Sequence, residues 1–154
     1  MQYSVGRMGR VFALRLEHGD RLPDIIEEFA GQHGIVRGAV FLLGGAADKS
    51  RLIVGPEGTA GDQIIPMLHE LCGIHEILGM GTLFPSEAGQ PVLHLHAAAG
   101  RAGNASVGCT RAGVEVWLVG EVIIIEFEGL QGSRRIDPRS GFELLQLPSK
   151  DSKS

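Results

Sequence analysis

Two histidines one residue apart, His94 and His96, followed after a glycine-rich stretch by Cys109, are the residues of this chain best spaced for chemistry. Strand side chains alternate between two faces, so an extended Pro91–Ala98 would point both imidazoles the same way, about 7 Å apart at Cβ. Nitrogens at that spacing can converge on one metal ion. A returning strand through Ser106–Cys109 would bring a thiolate to the same point. Two imidazoles and a thiolate suit a borderline-soft ion such as Zn²⁺. Three protein ligands leave a fourth position for water or substrate, the arrangement of catalytic rather than structural zinc. The plainer alternative is two polar residues on a half-exposed strand and a cysteine serving as a small buried hydrophobe.

Other residues could assist. Glu76 lies between His75 and Ile77 among apolar residues. It could orient a ligand histidine, bind the metal, or take a proton near metal-bound water. A sheet-edge charge explains it equally well. Glu121 interrupts the apolar run Val114–Phe127, as a pocket acid or as an exposed residue at a bulge. Arg111, two residues after Cys109, could hold a carboxylate or phosphate, or be a solvated turn arginine. His69 and Glu70 are further candidates. The one basic cluster, Arg134-Arg135 with Arg139 nearby, reads as a solvated turn. Gly44-Gly45-Ala46 has the spacing of neither a dinucleotide fingerprint nor a phosphate loop. There is no serine nucleophile elbow and no paired-cysteine zinc module.

These residues need strands to position them, and the pattern supplies many. Arg10–Glu17 reads as a strand, followed by a turn at His18-Gly19-Asp20. Asp20 is a reasonable N-cap for a helix over Arg21–His33, with Pro23 in its first turn. Leu22, Ile25, Ile26, Phe29 and Ala30 give that helix one apolar stripe. Gly34 is its natural terminator. Ile35–Leu43 is a strand ending at Gly44-Gly45, and Lys49–Val54 is another. Ile64 and Ile65 open an edge segment, and His69–Gly81 is strand material interrupted by Gly73. Val92–Ala99 and Ala105–Cys109 form a hairpin across residues 100–104. Gly120 marks a bend or bulge in Val114–Phe127. Arg134–Asp137 and Phe142–Leu147 close the fold, and residues 148–154 read as a frayed polar tail. One helix against many strands predicts an α+β fold, a mostly antiparallel sheet with a helix on one face. An open edge in such a sheet invites pairing with another subunit.

Composition agrees. A chain of 154 residues, 44% hydrophobic and 21% charged, is expected to form one domain with a real core. Its 23 glycines fall mostly between apolar runs, as tight turns require. A formal net charge of −4 argues against a free-standing grip on nucleic acid or an anionic membrane. No apolar run reaches membrane-spanning length, and residues 1–20 show no signal-peptide block, so a cytoplasmic protein is expected. In that compartment Cys72 and Cys109 would stay reduced.

Residues 76–127, EILGMGTLFPSEAGQPVLHLHAAAGRAGNASVGCTRAGVEVWLVGEVIIIEF, resemble the core of the plant and prokaryote conserved (PPC) domain. The shared features are Glu76 in an E-I-x-x-x-G segment, the H-x-H strand, the glycine-containing hairpin and the following apolar strand with Glu121. The upstream pattern of Leu16–Ile35 fits as well, so the resemblance covers residues 8–147. It implies an α+β fold, assembly as a homotrimer, and a fold similar to acetolactate decarboxylase, a zinc enzyme with histidines on neighbouring strands. His94 and His96 match the first two ligand positions. Cys109, in Val-Gly-Cys-Thr, stands where many relatives carry histidine in Gly-Gly-His-Leu. A thiolate there still permits zinc but weakens its Lewis acidity. Plant relatives add an Arg-Gly-Arg-Pro hook for A·T-rich DNA; this chain has none, so direct DNA binding does not carry over. Three roles follow: a zinc-binding homo-oligomer taking a small acidic ligand at the open metal position, a metal-dependent lyase or hydrolase using Glu76 or Glu121 for protons, or a DNA-associated scaffold.

Overall fold

The computed structural model describes residues 1–58 and 64–148. Its strands are β1 (Arg7–Glu17), β2 (Arg21–Leu22), β3 (Gly38–Ala46), β4 (Arg51–Pro56), β5 (Pro66–Glu70), β6 (His75–Pro85), β7 (Pro91–Arg101), β8 (Asn104–Cys109), β9 (Val114–Glu128), β10 (Ser133–Ile136) and β11 (Glu143–Gln146). The single α-helix among the described residues, α1, spans Asp24–His33. The main sheet runs in the order β1-β9-β3-β6-β7-β8-β4-β5, with β2 pairing β9, and its ladders are antiparallel. The hairpin β10–β11 stands apart and touches the sheet through a parallel bridge between Ser86 and Arg134. This is the α+β architecture expected, a mostly antiparallel sheet with one helix.

Alternation along the strands sorts the two faces. Leu93, Leu95, Ala97 and Ala99 of β7 turn inward, with Val40 and Leu42 of β3 and Val122 and Ile124 of β9, against Ile26 and Ala30 of α1. Full burial of each such leucine or isoleucine contributes on the order of 1.5–3 kcal/mol. Glu27 of α1 also accepts a 2.7 Å hydrogen bond from the Leu93 amide, so the helix grips the strand through a polar contact too. Beneath Leu95 the neighbouring strand carries Gly79 and Gly81. A Cβ on Gly81 would lie 2.8 Å from Leu95 Cα and Cβ, so β6 and β7 pack too closely there for any side chain.

Several boundaries differ from expectation. α1 begins at Asp24, not Arg21. Arg21 and Leu22 are instead extended and pair with Glu115 and Val114. The residue before a proline is pushed out of helical conformation, and Leu22 gains a buried site by following that preference. Asp20 caps no helix; its carboxylate accepts from the Glu17 amide at 2.8 Å. At the other end Gly34 terminates α1 in the left-handed region (φ 64°), as its sequence position predicted. Gly44-Gly45 does not end β3. The strand continues to Ala46, and β9 inserts Leu118 and Val119 between the partners of those two glycines. The bulge anticipated near Gly120 is this insertion. Residues 59–63 of the segment before β5, and 149–154 of the tail, lie outside the described residues.

The β7–β8 hairpin turns on Ala102-Gly103, both with positive φ (50° and 81°). That suits asparagine or glycine better than alanine. Replacing Ala102 by Asn should stabilise the chain by about 0.5–1 kcal/mol, read as a shift in the denaturant midpoint at unchanged slope.

Candidate metal centre

Because Leu93, Leu95 and Ala97 face the core, His94 and His96 must face the other side of the sheet. On that side β8 brings Cys109 directly opposite His96. Cys109 is followed by a 3-10 turn, Thr110–Ala112, fixed by the buried Thr110 hydroxyl donating to Leu95 O at 3.2 Å. One strand pair and one side-chain bond therefore position all three residues.

The ligand atoms of His94, His96 and Cys109 lie within 4.8 Å of one another. The two Nε2 atoms are 3.1 Å apart, with the rings near perpendicular at 80°. Tetrahedral zinc bound at usual distances sets its nitrogens about 3.3 Å apart, so the imidazoles already stand at ligand spacing. His94 is half-buried, His96 exposed and Cys109 buried. Both cysteines are free. Burial, helped by the positive charges of Arg134, His96 and Arg111, lowers the His94 pKa from 6.5 to about 4. His94 is thus neutral at physiological pH, with no proton to displace before ligation. The donor set of two imidazoles and a thiol fits a borderline-soft divalent ion.

The triad forms one wall of a cavity of about 780 Å³. Ile53 and Val54 of β4 line another wall, and Phe142 and Leu144 of the C-terminal hairpin line a third. Arg111, carried by the 3-10 turn and exposed, is among the residues that line the cavity. Arg134 is the correction. It is no solvated turn residue: it is 2% exposed and lines the same cavity. Its Nη2 donates to Thr82 O (3.1 Å) and Thr82 Oγ1 (2.9 Å), and its Nε donates to Val92 O (3.4 Å). Thr82 is the cross-strand partner of His94, which sets the guanidinium beside the triad. Burial, then Arg111, pushes the Arg134 pKa below the usual arginine range, opposed by Glu143, Cys109 and Glu27. No local pattern in Ser133–Ile136 announces this burial; it depends on how the hairpin folds back.

The two acids proposed for proton transfer stand elsewhere. Glu76 pairs with Gly100, four residues beyond His96 along β7 and about 13 Å away. Glu121 lies on β9, three strands across the sheet from β7 and about 14 Å distant. Both are exposed on the same face as the triad, but one chain does not bring either to it. His69 bonds the Ser106 hydroxyl through Nε2 at 3.0 Å. His75 bonds Gly73 O through Nδ1 at 2.9 Å. Glu70 is exposed on β5.

Fold and site together define an α+β protein, with one α-helix among the described residues and a His/His/Cys constellation that could hold a metal ion. The sequence matches the pattern of the Plants and Prokaryotes Conserved (PCC) domain over residues 3–128, and the chain belongs to that family. Among solved structures it is similar to a metal-containing protein from Archaeoglobus fulgidus, at 24% identity over 95% of this chain and 99% of that one, with a TM-score of 0.79. It is also similar to a plant- and prokaryote-conserved protein from Pyrococcus horikoshii (21% identity, 96% and 100% covered, TM-score 0.75). A candidate DNA-binding protein from Ralstonia eutropha shares the fold at 21% identity, 88% and 90% coverage and a TM-score of 0.67. No curated protein sequence matches the chain. Among the described residues no helix is long and apolar enough to cross a membrane.

In metal-free protein, the His94 ring should titrate near pH 4 in NMR spectra. Arg111→Ala should move that titration upward, because one positive charge is removed while burial remains. The unfolded chain takes up this proton nearer pH 6.5, so stability of the metal-free protein should fall as pH drops between those values.

Proposed function

We propose that this is a zinc-binding, homo-oligomeric PPC-domain protein that takes a small acidic ligand at an open metal position. The observation that carries this reading is the convergence of His94, His96 and Cys109 at the wall of a large cavity. Zinc is the ion favoured by two imidazoles with one thiolate, and three ligands would leave it one free position. Bound there, zinc would supply a Lewis-acid contact for a ligand oxygen. Arg111 would hold the ligand's negative charge at the cavity wall. The metal-containing Archaeoglobus relative supports the reading. A cytoplasmic setting suits it, since the thiol must stay reduced.

Homo-oligomerisation, as a trimer by family resemblance, is supported by the outward face of the sheet. Phe41, Leu43, Leu78, Met80, Val107 and Ile123 are all exposed there. So many large apolar side chains on one strand face mark a surface suited to covering by another protein surface. A lyase or hydrolase reading would need Glu76 or Glu121 delivered to the triad by a second copy. The DNA-associated reading draws on relatives such as the Ralstonia protein and runs against the formal net charge of −4.

Protein purified without added metal should carry about one zinc per chain, with sulfur in its coordination shell by X-ray absorption. His94→Ala, His96→Ala and Cys109→Ser should each lose it. Absence of zinc together with no uptake of added zinc would overturn the metal reading. Light scattering should give a mass about three times the 16.4 kDa chain. Leu43→Lys with Leu78→Lys should release folded single chains, because both side chains are exposed within one chain.

A further inference from the structure

No carboxylate among the described residues forms an ion pair with Arg134. Its three hydrogen bonds go to neutral acceptors, two on Thr82 and one on Val92. Among the described residues no carboxylate lies within 4 Å of it, nor of Arg111. Glu143, the one carboxylate on the cavity wall among the described residues, forms no ion pair with either arginine. Nη1 of Arg134 has no hydrogen-bond partner among the described residues. Yet no buried side-chain nitrogen or oxygen is left without one. Nη1 is therefore the edge of the guanidinium that opens onto the cavity.

Glu143 and Glu27 act on Arg134 only from a distance. A guanidinium taken out of water with no carboxylate in contact is costly, a cost that an anion bound against it would offset. The surroundings limit which anion. Ile53, Val54, Pro66, Phe142 and Leu144 contribute apolar surface to the same cavity, which is large enough for several carbons beyond a charged head. Inorganic phosphate would satisfy the arginines and leave that apolar wall uncovered. A diacid would bury a second charge against it.

We propose that Arg134 is the specificity-determining anion contact of this cavity, and that its ligand is an organic monocarboxylate with an apolar body. The carboxylate accepts from Arg134 Nη1 and faces Arg111, with the metal position beside it. The apolar body lies between β4 and the C-terminal hairpin. The location beside the metal rests on the metal-centre reading; the anion contact requires no metal.

The test is calorimetric titration of the full chain, zinc-loaded and after chelation, with hexanoate, acetate, hexan-1-ol and inorganic phosphate. Hexanoate should bind at least about tenfold more tightly than acetate, phosphate or the neutral alcohol. Arg134→Met, verified as folded by circular dichroism, should lose that preference for the carboxylate over the alcohol. Should Arg134→Met fail to fold, the exposed positions decide: Arg111→Gln should weaken hexanoate severalfold without affecting hexanol, and Leu144→Asp should erase the advantage of hexanoate over acetate. Equal affinity for hexanoate and hexanol overturns the proposal, as do unchanged affinities in the decisive variants. Hexanoate binding that survives chelation and depends on Arg134 upholds it even if the triad holds no metal. Binding only to zinc-loaded protein, indifferent to Arg134, overturns it and leaves the metal reading intact.

Discussion

The pleat of β7 is the constraint on which the rest depends. Leu93, Leu95 and Ala97 are nearly inaccessible to solvent, packed beneath α1. Their burial forces His94 and His96 onto the opposite face, because neighbours on a strand cannot share one. A slip of one residue would bury two imidazoles and expose two leucines, at the cost of several kcal/mol of apolar burial. The position of the candidate ligands is thus held by hydrophobic free energy stored on the far side of the sheet. Glu27 adds a fixed point by holding the Leu93 amide, one residue before His94.

The same pleat makes site and apolar surface continuous. Ile123, Phe41, Met80, His96, Cys109 and Ile53 lie side by side across six adjacent strands in a single row. The chemistry occupies one end of this row and exposed hydrophobic residues the other. A subunit packed on the apolar end would stand within a few strand spacings of the triad. Such packing would change the solvent exposure of His96 without any movement within the chain.

What could be read beforehand was local or periodic. The H-x-H spacing, the return of Cys109 through the hairpin, the helix stop at Gly34 and the bulge near Gly120 each follow from neighbours within a few residues. What could not be read depended on distant contacts. Leu22 favours β9 over the helix because a buried place waits there. Gly44-Gly45 signals a stop, but β9 accommodates the pair by inserting two residues. Arg134 carries every mark of a solvated residue, and only the return of the β10–β11 hairpin onto Thr82 buries it. Glu76 and Glu121 share a face with the triad, as alternation allows. Their separation from it comes from strand order, which no short motif encodes.

The close approach of β6 to β7 has a consequence for how this protein can diversify. With Gly81 almost touching Leu95, the floor under the two histidines has no room for a methyl group. The walls are different: β4 and the C-terminal hairpin present side chains to a cavity that could absorb changes in size or polarity. Mutational scanning should therefore give a lopsided map, intolerant beneath the imidazoles and permissive around the cavity. Descendants of such a chain would trade ligands readily while keeping the same two histidines in the same place.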